Sequence, residues 1–224
     1  MENNDSTKTN PLSKYFRQPA IHMKLPSGGS HWPDGSLDLP VTGELPVYPL
    51  TTRDEIILRT PDALMNGSGV VDVVQSCVPN IKNAWMTPNV DIDALLIAIR
   101  IASYGENMDL ETKCPHCNES NKHGVNLQNC LASIKSPNYN DKLSIGDLKI
   151  KFKPATYFSN NKQNSVDFEQ QKMMQALERA DLDDETRAKE IYNSMQKLVK
   201  INIDILANST DYIEIDNEPP VRDT

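Results

Sequence analysis

Residues 89–105 read "NVDIDALLIAIRIASYG", and this stretch decides the fold. Ile92, Leu95, Leu96, Ile99 and Ala102 recur at i, i+3, i+4, i+7 spacing, the pattern of one face of an α-helix. Positions 94–99 are apolar on every side, so the helix belongs at the centre of a core. Asp91 or Asn89 is expected to cap its start and Gly105 to end it.

Upstream, "AIHMKL" alternates, with Ile21, Met23 and Leu25 on one side, which predicts a strand. The turn-rich "PSGGSHWPDGS" follows, then "ELPVYPL", an extended piece that its prolines limit to an edge. "TTRDEIILRT" opens a helix, with Thr52 and Glu55 spaced as a capping box. "TPDALMNG" predicts a short helix that Gly67 closes, and "GVVDVVQSCV" continues helically.

Downstream of Gly105 the period changes to two. "MDLETK" and "GVNLQ" alternate on either side of "KCPHCNES", and "KLSIGDLKIKFK" predicts a hairpin turning at Gly146-Asp147. Lys149, Lys151 and Lys153 fall on one face of its second strand, a face that must be solvated or meet an acidic partner. "YFSNNKQNS" reads as a polar loop, followed by helices over 165–180 and 183–207 joined through "ADLDDE". Ile191, Met195, Leu198, Asn202 and Ile205 give the second helix its seam.

The fold class is therefore α+β: a helical core, a small β zinc-knuckle-like insert, a β-hairpin and a C-terminal helix pair. The expected divisions are a flexible arm (1–20), a strand and helical core (21–105), a β region (106–158), a helical hairpin (159–212) and a polar tail (213–224).

The chain has 224 residues, a net charge of −8 and only 38% hydrophobic residues. Its mean hydropathy is −0.53 and its pI about 5.0. So lean a chain is expected to fold partly against neighbours. The acidic balance argues against nucleic acid as a partner. No run approaches the roughly 18 apolar residues of a membrane span, and the start lacks a signal-peptide pattern.

Cys114 and Cys117 form a Cys-x-x-Cys between two short strands, the form of half a structural zinc site. Asn118 is the best non-glycine residue for the left-handed position that follows such a turn. A closed zinc site needs four ligands. The further candidates are His123 and Cys130, then His116 and Cys77, which gives one possible structural zinc and no other cofactor. A redox pair would precede a helix, whose N-terminus lowers the thiol pKa, and "NESNKHGVNL" is not helical.

The sequence holds no phosphate-binding glycine loop, nucleophile elbow or zinc-protease helix signature. No catalytic residue, cofactor-binding residue or small-molecule substrate is assigned. His22 and His31 read as surface residues. Arg100 reads as a snorkelling or carboxylate-paired arginine, with an interface anchor as the sharper alternative.

The order "IHMKLPSGG", "VYPLTTRDEIIL", a helical block, then "DALLIAIRIASYGENMDLETKCPHCNE" resembles the baseplate proteins of T-even-like contractile-tailed bacteriophages. The resemblance runs over roughly residues 20–130 and includes Arg100, Ser103 and Gly105 leading into Cys114 and Cys117. It implies a structural or assembly role at the central baseplate hub, with other tail hub proteins as partners and no catalytic residues. The implied locations are the host cytoplasm during tail assembly and the virion tail baseplate. The insert "SHWPDGSLDLPVTGEL" and the missing second ligand pair depart from the family pattern. The alternative is a zinc-ribbon nucleic-acid or transcription adaptor, which needs basic residues around the turn. Lys113 and Lys122 stand there against Glu111 and Glu119.

Overall fold

The computed structural model describes residues 16–179, 184–215 and 218–222. Most of the expected flexible arm and residues 180–183 of the "ADLDDE" link lie outside the described residues. The described chain is mixed α and β, with seven α-helices and three small antiparallel sheets.

β1 (Ile21–Lys24) pairs with β2 (Glu44–Val47), and Met23 and Leu45 face each other in the core. Three helices follow: α1 (Thr52–Leu58), α2 (Pro61–Met65) and α3 (Ser68–Cys77). A single 3-10 turn, Ala84–Met86, leads into α4 (Asn89–Tyr104), the central helix that the periodicity predicts. Ile92, Ala94, Leu95, Ala98 and Ile99 are buried on it in one cluster with Val71, Val74, Val78 and the β1–β2 pair, and Ile101 is buried as well. Gly105 ends the helix with φ 87°, a conformation that other residues rarely adopt.

The cap of α4 differs from expectation. Neither Asn89 nor Asp91 caps it; Pro88 occupies that position. Asp91 is instead fully buried and accepts from the Ser27 N–H (2.9 Å), the Ser27 hydroxyl and Trp32 Nε1 (2.8 Å). A buried carboxylate needs such donors, and the "LPSGGSHW" loop supplies them from more than fifty residues away.

The capping box of α1 also sits one residue earlier than expected. Thr51 is the N-cap and Asp54 its partner. The Asp54 carboxylate accepts from the Thr51 N–H and hydroxyl (both 2.8 Å) and from the Ser76 hydroxyl (3.1 Å). Arg17 lies 3.6 Å away and also donates to the backbone of Pro49 and Ser76. Tertiary partners thus choose Asp54 over Glu55, and they dock the end of the N-terminal segment.

β3 (Asn107–Lys113) and β4 (Ser120–Asn126) form the hairpin that carries the cysteine turn, and α5 (Leu127–Ser133) returns the chain to α4. The sequence reading has no helix there. Asn126 caps it, and Leu127 is buried.

β5 (Lys142–Ile145) and β6 (Leu148–Phe152) form the expected hairpin around Gly146-Asp147. The expected polar loop is helix instead: α6 (Tyr157–Arg179) begins at its first residue. The Tyr157 N–H donates to Thr87 O (2.7 Å), Thr156 Oγ1 accepts from the Ser159 N–H, and Tyr157 and Phe158 pack on the Trp85 ring. α7 (Asp184–Ser209) lies along α6, and β7 (Thr210–Ile215) then adds a third strand beside β6. Residues 210–215 are thus strand, where helix end and tail are expected. Lys149 faces Glu214 and Lys151 faces Tyr212, so the lysine face is met from within the chain.

Asp91→Ala leaves three donors without an acceptor and is expected to lower unfolding free energy by roughly 3 kcal/mol in urea titrations, with Trp32→Phe costing about 1 kcal/mol. Burial alone would raise the Asp54 pKa, but the Thr51 backbone and side chain, Ser76 and Arg17 together hold it below the usual value. The stability this adds is complete above about pH 4 and is lost as pH falls through the lower folded value. Asp54→Asn should therefore destabilise the protein at neutral pH, and the deficit should shrink as melts are repeated below pH 4.

Candidate functional site

The cysteine turn sits at the tip of the β3–β4 hairpin. The Cys114 N–H donates to Glu119 O and the Asn118 N–H to Cys114 O, both at 2.9 Å, which closes the loop. Asn118 adopts φ 56°, the left-handed position expected of it. The backbone N–H of Cys117, that of His116 and the Cys117 thiol bond to the Cys114 sulfur and hold its pKa below the usual thiol value. Both sulfurs are thus placed on one side of a turn whose amides already favour thiolate. Cys114 is partly covered and Cys117 exposed.

The other candidate ligands are not brought to this turn. His123 pairs with Leu110, four residues back along β3 from Cys114, or about 13 Å of strand. Cys130 lies on α5, beyond the opposite end of the ladder. Cys77 is buried in the main core, where burial pushes its thiol pKa up. Among the described residues, no three His, Cys, Asp or Glu side chains form a group able to hold a metal ion.

The strand after Cys117 is β4, so no helix N-terminus activates the thiol. Glu111 and Lys122 are directly opposed across the ladder, and Ser120 donates to Glu111. The tip therefore presents balanced charge rather than a basic surface.

The C-terminal third presents a different kind of surface, one the sequence reading missed. The seam of α7 against α6 uses Ile191, Ser194, Leu198, Ile201 and Ile205, with Ser194 Oγ donating to Gln170 Oε1 (2.6 Å) in the buried centre. Met195 and Asn202, expected on that seam, lie off it. Tyr192, Met195, Val199, Ile203 and Leu206 instead form a second stripe, each between 57% and 62% exposed. The three-stranded sheet is also two-faced. Leu143, Ile145, Leu148, Ile150, Ile213 and Ile215 share one face by register, and four of these six, Leu143, Ile145, Leu148 and Ile215, are exposed. The opposite face is polar and paired, with Lys142 2.7 Å from Glu214. Alternation over "TDYIEI" (210–215) is the signal that could have revealed the third strand.

His22 and His31 are exposed, and His31 packs edge-on to Tyr139. Arg100 lies over the Tyr104 ring at 4.6 Å and donates to Gly105 O, so its role is local packing at the end of α4. No helix among the described residues is long and apolar enough to cross a membrane.

No curated protein and no solved structure matches the chain. A family described as "T4 bacteriophage base plate protein" matches residues 18–218, nearly the whole chain. That span takes in the α4 core, the cysteine hairpin and the C-terminal helices and sheet, and by it the chain belongs to the T4 bacteriophage base plate protein family.

Proposed function

We propose that this chain is a non-enzymatic structural or assembly protein of the central baseplate hub, acting by binding other tail proteins. It works in the host cytoplasm while the tail is built and is carried into the baseplate. The observation that supports this reading is the outward apolar surface of the C-terminal third. There α7 turns one seam toward α6 and a second apolar stripe outward, and four of the six apolar residues on one face of the sheet are exposed. Isolated exposed leucines are ordinary, but a stripe at i+3 and i+4 spacing beside a mostly exposed apolar sheet face marks a protein-binding surface. Family membership gives the class of partner: other phage baseplate proteins.

The zinc-ribbon adaptor reading has less support. The turn's charges are paired across the ladder, and the chain carries a net −8.

A tagged chain purified from infected cells should bring down hub and wedge proteins. The double substitution Val199→Asp with Ile203→Asp should cut that recovery about tenfold or more, equivalent to at least 1.4 kcal/mol of binding. Circular dichroism of the variant should be unchanged, because both side chains face solvent. Recovery of polymerase or nucleic acid without tail proteins would overturn the proposal and favour the adaptor.

A further inference from the structure

The hairpin tip is a half-built chelate. Its closing hydrogen bonds, the left-handed Asn118 and the amides directed at Cys114 are all in place, yet two sulfurs are only half of a tetrahedral thiolate site. Among the described residues nothing completes it. His123 lies partway down β4, Cys130 beyond the far end of the ladder, and Cys77 inside the core. His116, within the turn, is exposed and forms no metal-holding group with the two cysteines.

The tip is also well placed to meet another molecule. β3 is exposed along nearly its whole length, and the half of β4 nearest the turn is exposed as well. Glu111, Lys113, Glu119 and Lys122 sum to zero charge, so two identical tips can approach without like-charge repulsion.

We propose that Cys114 and Cys117 are half of an intermolecular zinc site, completed by the same two cysteines of a second copy. A two-fold axis through the metal makes the four ligands from one repeated turn and needs no further sequence. On binding, Zn2+ takes four thiolate sulfurs, and the four thiol protons pass to solvent. Nothing is oxidised or reduced. The metal then acts as a clasp between chains, separate from the apolar faces of the C-terminal third.

The test uses the full-length chain, reduced and stripped of metal, titrated with Co2+ and then Zn2+. Thiolate-to-cobalt absorption should saturate at about half an ion per chain, the stoichiometry of four sulfurs drawn from two chains. Sedimentation velocity should show the mass doubling with zinc and returning to monomer with chelator. Cys114→Ser with Cys117→Ser should abolish both, while His123→Asn and Cys130→Ser should leave both unchanged. The exposed serine variants should melt like the parent, which separates ligand loss from misfolding. Saturation at one ion per monomeric chain, or no thiolate absorption at all, would overturn the proposal.

Discussion

The buried Asp91 carboxylate is the interaction on which the rest of the structure depends. A charge removed from water is tolerable only if donors surround it, and its donors come from a loop far away in sequence. Satisfying Asp91 therefore fixes the "LPSGGSHW" loop to the start of α4, and with it the approach of β1 to the central helix. Asp54 does the same for a second junction. It gathers Thr51, Ser76 and Arg17, joining α1, α3 and the N-terminal segment.

Seen in this way, the motifs that carry the family resemblance are structural joints. Ser27 of "LPS" serves Asp91. Pro49 presents its carbonyl to Arg17, and Glu55 accepts from the Tyr104 hydroxyl at 2.7 Å. Ser103 receives the Leu50 N–H at 2.9 Å and donates to Ile99 O at 2.6 Å. Those of Ser27, Glu55 and Ser103 tie a loop or short helix to α4, and that of Pro49 ties in the N-terminal segment. The parts that face outward, the hairpin tip and the C-terminal helix and sheet, lie away from these joints. This division also accounts for the lean composition. Nearly all of the buried apolar residues belong to the first half, whereas many of the apolar residues in the last third lie on open faces. A chain built so gains burial by joining neighbours.

The elements legible in the sequence are those whose pattern is local. The 3.6-residue period of α4, the alternation around the cysteine turn and the Gly146-Asp147 hairpin are all complete within a few residues. The left-handed Asn118 was legible for the same reason. What escaped depends on distant partners. Asp91 looks like a helix cap until Ser27 and Trp32 are placed around it. The polar start of α6 is helical because Thr87 and Trp85 receive it. β7 is a strand because β6 offers an edge directly after α7. Of the candidate site, the paired cysteines were legible, but the sequence could not show that His123 and Cys130 stand apart from them. The outer stripe of α7 was hidden because two apolar seams share one helix, and spacing alone does not say which faces α6.

Hydrogen exchange followed by mass spectrometry, on the free chain and on the chain within assembled baseplate complexes, tests the central claim most directly. In the free chain, amides of 89–105 should exchange slowly, and those of 192–206 and 142–150 should exchange fast. In the assembly, 192–206 and 142–150 should gain protection while 89–105 changes little. Equal protection of the C-terminal third in both states would contradict the account, since those faces would then need no partner.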